Sequence, residues 1–196
     1  MERIAEQPLF GGAISCSLPT RFQTVSNIRE VPDNQEVFAD ASRDESVIVE
    51  LLELKPEIPD EQSASWFLQD LASEQDALME MESVSQLQPG DVPFLDPSIV
   101  KGVAVGKLKV SKSRQSADAA NIVRIYMANL RLRSVKTDVL ISVYEPLYIS
   151  ALSESAASVG SGFAVPAAVA GCSSALEVFQ TILRTLKVHD WALFVN

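Results

Sequence analysis

The sequence predicts an α+β fold in which helices pack on one mostly antiparallel β-sheet. Stretches with the two-residue alternation or the β-branched composition of strands recur along the chain and outnumber the helical stretches. Segments with a helical pattern alternate with these strands, which is the arrangement of a sheet covered by helices. The chain has 196 residues, 47% hydrophobic and 21% charged, as expected for a single folded domain over residues 1–196.

Three strands are predicted in the first third of the chain, at residues 13–18, 36–39 and 47–54. The third is a dense apolar run that begins with β-branched residues. Glu50 and Glu53 interrupt this run, which indicates that the strand is not buried on both faces throughout.

Three longer strands follow, at residues 101–112, 121–133 and 138–144, of which the last two have the alternation of a hairpin. The period of two places Arg131 and Arg133 on one sheet face, which we expect to be the solvated one.

The strand at 101–112 also contains an irregularity. Val103 and Val105 are out of phase with Leu108 and Val110, and the shift across Gly106–Lys107 predicts a β-bulge.

Three helices are predicted. A short one at residues 26–29 is stopped by Pro32, and a second spans 61–78. The third begins at a capping box, in which Ser174 and Glu177 each satisfy an unpaired backbone amide. Its apolar stripe at three- and four-residue spacing contains Leu176, Phe179, Ile182, Leu183 and Leu186. The segment before it, about 153–172, is rich in Ala, Ser and Gly and is predicted to be a flexible loop.

Charge is distributed in blocks. The formal net charge is -10, with 8 acidic and no basic residues in 61–96 but 9 basic and 3 acidic residues in 97–146. A chain this acidic is unlike nucleic-acid-binding proteins, because binding to the phosphate backbone requires an excess of Lys and Arg on the protein. We interpret the basic block as a solvated sheet face or a secondary docking surface.

No membrane, cofactor or metal interaction is predicted. The uncharged stretch at 155–176 is broken by Pro166 and contains few large apolar residues, unlike a spanning helix. The N-terminal residues lack the apolar core of a secretory signal and the composition of a transit peptide. Cys16 and Cys172 have no metal-ligand spacing and are predicted to be buried, reduced thiols.

The sequence also disfavours an enzyme. His189 is the single histidine, so schemes that need a histidine pair are excluded, and no GxSxG nucleophile motif occurs. We expect His189 to have a structural role near the end of the last helix, and the protein to be a binding protein.

The segment Arg29–Phe38 contains an unusual arrangement of charges. Pro32 fixes its own φ angle, which places Asp33 and Asn34 in a turn just before the strand that Glu36 begins. Two anions would then project from the rim of a stiffened turn. Either they bind a partner, or the aspartate bonds to its own turn and the glutamate is merely solvated.

The sequence resembles a known family, the Ran guanine nucleotide release factors. Five runs carry the resemblance and occur in order over most of the chain. They are LFGGAIS (9–15), REVPDNQEVF (29–38), DESVIVELLEL (44–54), LRLRSVKTDVLISVYEP (130–146) and VHDWALF (188–194). Residues 147–172 depart from the pattern.

The resemblance implies a three-layer α/β/α sandwich, shared with the PsbP proteins of photosystem II. It further implies binding to the small GTPase Ran, release of its guanine nucleotide and support of nuclear protein import. We expect the protein to be a monomer in the nucleus and cytoplasm. In the family the acids of the turn contribute to the Ran-binding surface, and they carry over to Asp33 and Glu36. Asn34 and Gln35 would shape the turn. Glu50 and Glu53 are added because their charges interrupt the third strand.

Two other functions remain open at this stage. One is a PsbP-like structural subunit of a membrane complex, which shares the fold. The other is an adaptor that uses the basic block at 101–136 to bind a different partner, such as a membrane channel.

Overall fold

A computed structural model describes residues 1–110 and 120–195. The helices of these residues are α1 (Ser63–Glu74), α2 (Ala156–Val159) and α3 (Ala175–Thr185). Their strands, in chain order, are β1 (Ile4–Leu9), β2 (Ile14–Pro19), β3 (Gln23–Thr24), β4 (Gln35–Asp40), β5 (Glu45–Glu53), β6 (Leu78–Gln86), β7 (Val100–Val110), β8 (Asn121–Leu132), β9 (Thr137–Ile149), β10 (Gly162–Phe163) and β11 (Lys187–Val188).

The strands form two antiparallel sheets. The larger sheet has the order β3-β4-β5-β9-β8-β7-β6, and β10 pairs with the end of β9. The smaller sheet has the order β1-β2-β11. Both sheets are antiparallel throughout the described pairings, as the sequence predicts.

The larger sheet is covered by helices on both faces. Phe67 and Leu68 of α1 pack on one face in the same cluster as Leu140. Ile182 of α3 packs on the other face in the same cluster as Ile141, together with apolar residues of the smaller sheet. Leu140 and Ile141 are neighbours on β9, and successive side chains of a strand point to opposite faces, so β9 contributes residues to both cores. This is the predicted three-layer α/β/α sandwich.

The six predicted strands are present with small changes in their ends. The hairpin of β8 and β9 is confirmed, and a short 3-10 turn at Arg133–Val135 joins its arms. Lys136 closes this turn in the left-handed region at φ 51°. The strand predicted at 101–112 extends to residue 110 among the described residues, and its last two positions lie outside them.

The predicted bulge in β7 is wrong. β7 pairs with β8 without a break, and the irregularity lies in the partner strand β6, between Met81 and Ser83, where Glu82 is the extra residue. Gly106 interrupts the apolar pattern for another reason, because α1 lies close to the sheet there. A Cβ atom at Gly106 would lie 3.1 Å from Cδ2 of Leu68.

The capping box of α3 is confirmed. The Ser174 hydroxyl accepts a hydrogen bond of 3.2 Å from the Glu177 N–H, and the Glu177 carboxylate accepts one of 2.7 Å from the Ser174 N–H. These contacts lower the pKa of Glu177, the backbone bond contributing most. One member of the predicted stripe, Leu176, is 44% exposed, and Val178 is buried instead.

The helix predicted at 26–29 is wrong. The N–H groups of Ile28 and Arg29 both bond to the Val25 carbonyl, at 2.9 and 3.1 Å, which makes a single turn. The helix predicted at 61–78 is shorter, and strand β6 begins at its predicted end. The Ala/Ser/Gly-rich segment contains α2, β10 and a 3-10 turn at Ala167–Ala170.

The two cysteines differ in burial. Both are free thiols, with Cys16 in β2 buried and Cys172 only partly buried, so the prediction of burial holds for Cys16 alone. Burial, followed by the nearby charge of Glu6, raises the pKa of Cys16 to about 12. Within residues 1–110 and 120–195, no helix has the length and apolarity needed to cross a membrane.

Candidate partner-binding site

The turn that precedes β4 forms as predicted. The Gln35 N–H donates to the Pro32 carbonyl at 2.9 Å, which closes a turn with Asp33 and Asn34 at its tip. Asn34 bonds to β5 twice, because its side-chain amide donates to the Leu51 carbonyl at 3.1 Å and its carbonyl accepts from the Leu51 N–H at 2.9 Å. The turn is therefore fixed to β5 at Leu51.

Asp33 has no local role in this turn. Its side chain is exposed, and its carboxylate forms no hydrogen bond or ion pair with any described residue. The alternative in which the aspartate bonds to its own turn does not match this geometry. An exposed carboxylate on a rigid turn is available to a partner.

Glu36 is placed differently. It is half-buried at the start of β4, and its Oε1 accepts a hydrogen bond of 2.6 Å from the Phe10 N–H. Phe10, Gly11 and Gly12 form a tight turn with φ angles of 49°, 66° and 89°, a region that favours glycine and is uncommon for phenylalanine. Glu36 therefore stabilises the turn that displays the Phe10 ring.

These turns border an open groove of about 730 Å³, which we call the acidic-turn groove. A 3-10 turn at Trp191–Phe194 forms another side, and it begins where Asp190 Oδ1 accepts a hydrogen bond of 2.9 Å from the Ala192 N–H. The residues that line the groove are Phe10, Asp33, Asn34, Leu51, Leu52, Glu53, Ser134, Val135, Lys136, Thr137, Leu193, Phe194 and Val195.

The five sequence runs that carry the family resemblance meet at the acidic-turn groove. Each run contributes at least one lining residue, and Val195 is the single lining residue outside them. The runs are separated by many residues along the chain, so this convergence exists only in the folded protein.

The groove combines an apolar wall with free charges. Phe10, Leu193 and Phe194 are half-buried and form the wall. The carboxylates of Asp33 and Glu53 are exposed and unpaired among the described residues. Aromatic and aliphatic surface beside fixed charge is typical of a protein-binding site, with the apolar part giving affinity and the charge giving orientation.

Two of the predicted site residues lie elsewhere. Gln35 and Glu50 are paired across β4 and β5, where the Gln35 amide donates to the Glu50 carboxylate at 2.8 Å. Both point to the sheet face that α1 covers, and they line a second groove there. Glu53 lies at the border and lines both grooves. The structure thus brings together Asp33, Asn34, Glu53 and, through Phe10, Glu36.

The expected solvent exposure of Arg131 is wrong. Its side chain is fully buried, with Nε 3.0 Å from Asp138 and Nη1 2.9 Å from Asp60, and it also donates to the Ile58 carbonyl at 2.7 Å. Arg133 follows the strand and is exposed.

Four cations of the basic block at 97–146 are held in internal contacts. Besides buried Arg131, Lys101 is 3% exposed and its ammonium donates to two backbone carbonyls. Lys107 and Arg124 are both paired with Glu82 at the bulge of β6. Lys109 and Lys136 are exposed without an ion pair among the described residues, and Lys112 and Arg114 lie outside those residues, so a basic docking surface stays a prediction.

His189 has a structural environment, but not at a helix end. It follows β11, and its Nε2 lies 2.7 Å from the Ser15 hydroxyl, which in turn donates to the Glu6 carboxylate at 2.8 Å. The serine lies between the acid and the histidine, so the order of a nucleophile, base and acid relay is absent here.

Sequence reasoning missed the apolar half of the site. Leu193 and Phe194 come from the last residues of the chain, and the pattern of a short 3-10 turn gives no signal that they approach β5. Asp190, which caps this turn, is a residue type that favours the first position of a helical turn, so the beginning of the turn could have been predicted.

Comparison with known proteins agrees with the resemblance. The family described as Mog1, Ran-interacting Mog1 protein, matches residues 7–146. The Ran guanine nucleotide release factor of Danio rerio is 33% identical over 192 residues, covering 96% of this chain and 98% of that protein. The nuclear import protein mog1 of Schizosaccharomyces pombe is 29% identical over 191 residues, covering 95% and 98%.

Solved structures give the same result. The crystal structure of the Saccharomyces cerevisiae Ran-binding protein Mog1p aligns with a TM-score of 0.69 and 25% identity over the whole of both chains. A cyanobacterial PsbP from Synechocystis aligns with a TM-score of 0.51 at 12% identity over 96% of this chain and 94% of that one, and shares the fold alone. From its match to the family over most of its length, this chain belongs to the family of Ran-interacting Mog1 proteins.

Proposed function

We propose that this protein binds the small GTPase Ran through the acidic-turn groove and promotes release of its guanine nucleotide, in support of nuclear protein import. The names of its relatives, a Ran guanine nucleotide release factor and a nuclear import protein, support the partner and the process. The observation that carries the site is the convergence of five separate sequence runs on one groove with two unpaired carboxylates.

In this proposal the two acids of the turn have different tasks. Asp33 contacts Ran directly, because its carboxylate is exposed and free of local bonds. Glu36 acts mainly as a positioning residue, because its bond to the Phe10 N–H fixes the turn that forms the apolar wall. Glu53 adds a second free carboxylate to the lining of the groove.

Release of nucleotide in this way needs no covalent step. A nucleotide-free GTPase leaves its phosphate-binding lysine and backbone amides without an anion. A protein that binds this state more tightly than the loaded state shifts the equilibrium by the difference in affinity. Carboxylates held on rigid turns favour encounter with the resulting positive surface. In this proposal the protein acts as a monomer in the nucleus and cytoplasm.

The test is release of a fluorescent guanine nucleotide from purified Ran with and without excess of this protein. We expect faster release and a stable complex with nucleotide-free Ran. Unchanged release together with no complex would overturn the proposal.

A charge-reversal variant locates the site. Asp33→Lys should abolish complex formation while the thermal melt stays near wild type, since the replaced side chain has no local bond. The matched control is Glu30→Lys, which reverses an exposed charge close by in sequence but outside the groove lining. Equal loss in both variants would assign the effect to net charge rather than to the groove.

A further inference from the structure

The layer formed by α1 covers only part of its sheet face. α1 packs on β6, β7 and β8, while β9 and β5 continue the same face beyond the helix. Ile48 and Leu52 of β5 are therefore half-exposed, together with Tyr144 of β9. Leu71 of α1 faces the same space and is also half-exposed.

This space is a groove of about 510 Å³ between α1 and strands β4, β5 and β9, which we call the α1 groove. The buried apolar side chains of Phe67, Met127 and Leu140 complete its floor, and the buried Ser142 of β9 is a polar member of the same floor. A partner that covered the partly exposed apolar side chains of the floor would be stabilised by the apolar surface removed from water.

The rim of the α1 groove is acidic. Glu50 and Glu53 line it on the strand side, and Asp70 and Glu74 line it on α1. None of these four carboxylates forms an ion pair within the described residues, and Lys55 is the one cation that lines the groove in that part of the chain.

The acidic rim affects the pKa of a tyrosine on the floor. Burial, and then the charge of Glu50, raise the pKa of Tyr144 to about 12. The hydroxyl, protonated at physiological pH as in any tyrosine, is available as a hydrogen-bond donor or acceptor on the floor.

We propose that the α1 groove binds an amphipathic helix of a partner protein, with the aliphatic face of the helix on the floor and its lysines or arginines at the acidic rim. The groove lies on a sheet face and not at an edge, so an added strand would find no unpaired backbone there. A helix beside α1, at the usual separation of 8–10 Å, completes the unfinished layer of the sandwich. The rim selects a cationic helix by charge complementarity.

This surface is separate from the acidic-turn groove. It lies on the opposite face of the larger sheet, and only Leu52 and Glu53 line both. The proposal does not depend on Ran, and its test contains none.

The test uses the full chain and a fluorescein-labelled peptide of 14 residues in which Leu and Lys are spaced to form an amphipathic helix. Two comparison peptides are a scrambled one of the same composition, which has no apolar face, and one with Glu in place of Lys. Fluorescence anisotropy should show binding of the amphipathic Leu/Lys peptide, and at least 10-fold weaker binding of both comparison peptides. Equal binding of the scrambled peptide would show that only net charge attracts it and would overturn the proposal.

Variants of the protein test whether the peptide binds in the α1 groove. Asp70→Asn with Glu74→Gln should weaken binding about 3- to 10-fold, since two exposed charge pairs with the peptide are lost and each contributes modestly. These two side chains are exposed on α1, so the fold is not at risk. The matched control, Asp44→Asn with Glu80→Gln, removes two exposed carboxylates outside the groove and should bind as wild type.

The apolar floor and a charge outside the groove complete the test. Ile48→Thr keeps a β-branched residue in β5 but removes apolar surface, and it should weaken binding about 5-fold or more. Glu30→Lys reverses an exposed charge that lines neither groove and should leave peptide affinity unchanged. Loss of binding with Glu30→Lys, or an equal effect of the control pair, would contradict the assignment to the α1 groove.

Discussion

The carboxylate of Glu36 and the backbone N–H of Phe10 are joined by a hydrogen bond of 2.6 Å across 26 residues of sequence. This contact connects the turn that displays Asp33 to the turn that displays the Phe10 ring. The charged and apolar sides of the acidic-turn groove are therefore coupled through one side chain. A substitution at Glu36 changes the shape of the groove as well as its charge.

The first prediction separates these two effects. Glu36→Gln keeps an oxygen acceptor for the Phe10 N–H and removes only the charge, whereas Glu36→Ala removes both. We expect Glu36→Ala to lower the free energy of unfolding by about 1–3 kcal/mol, as for a lost hydrogen bond to a charged group, and Glu36→Gln to lower it by less than about 1 kcal/mol. Urea denaturation measures both.

Ran binding by the same variants tests the positioning role. Retention of most binding in Glu36→Gln, with loss in Glu36→Ala, is the expected pattern. Complete loss in Glu36→Gln with an unchanged melt would mean that Glu36 contacts Ran through its charge instead.

Local pattern was enough to predict an antiparallel sheet with packed helices and six of its strands, whereas the three-layer sandwich followed from the family resemblance. β6 was missed because it is an edge strand whose residues are mostly exposed, so it has no apolar periodicity to detect. The capping box of α3 was found because Ser174 and Glu177 act within one helical turn. The prediction of a helix at 26–29 was wrong because a segment of only four residues ahead of a proline is equally suited to an isolated turn.

The site was only half predictable for a related reason. Pro32 fixes the turn locally, so the display of Asp33 followed from sequence. Alternation in β4 and β5 sends Gln35 and Glu50 to the face opposite Glu36, which could have been deduced from the period of two. The walls at Phe10 and Phe194 depend on long-range packing, which no local pattern contains.

The second prediction concerns the buried arginine of β8. Arg131→Met would leave Asp138, which is fully buried, without its guanidinium partner at 3.0 Å. Removing one member of a buried ion pair costs about 3–5 kcal/mol, because the remaining charge is desolvated and unpaired. The expected result is a large drop in the urea midpoint.

Arg133→Met is the matched control for this experiment. Its side chain is 52% exposed and pairs with Asp60, so its loss should cost about 0–1 kcal/mol. Similar destabilisation by both substitutions would contradict the difference in burial on which the prediction depends.

The third prediction tests the close approach of α1 to the sheet. In Gly106→Ala the new Cβ would lie 3.1 Å from Leu68 Cδ2 and 3.2 Å from the Glu80 carbonyl oxygen. The backbone oxygen cannot move as a side chain does, so we expect a loss of about 1–3 kcal/mol from overpacking. Gly90→Ala, where a Cβ meets no atom within 4 Å, should stay near wild type in the same thermal melt. Stability of Gly106→Ala equal to that of Gly90→Ala would show that Leu68 and the Glu80 carbonyl leave room for a methyl group at this position.

The fourth prediction is a pH dependence that originates at Asp40. This carboxylate is 4% exposed, lies 2.8 Å from Arg21 Nη1 and accepts hydrogen bonds from Ser42. Burial alone would raise the pKa of Asp40, but the bonds from Ser42 and Arg21 outweigh it and hold the pKa below its usual value of 3.8. A carboxyl group whose pKa is lower in the folded state stabilises the fold above its unfolded pKa, and this contribution is lost as the pH falls through the folded pKa.

Asp40→Asn should therefore be less stable than wild type at pH 7, by about 1–3 kcal/mol for the lost charged hydrogen bond to Arg21. The difference should shrink as the pH is lowered from about 4 to 2, because the wild-type carboxylate is then protonated as well. Urea denaturation at a series of pH values measures this gap, and Asp44→Asn, an exposed carboxylate at the β4–β5 turn, serves as the control. A gap between Asp40→Asn and wild type that stays constant down to pH 2 would show that the packing of Asp40, and not its charge, stabilises this corner of the fold.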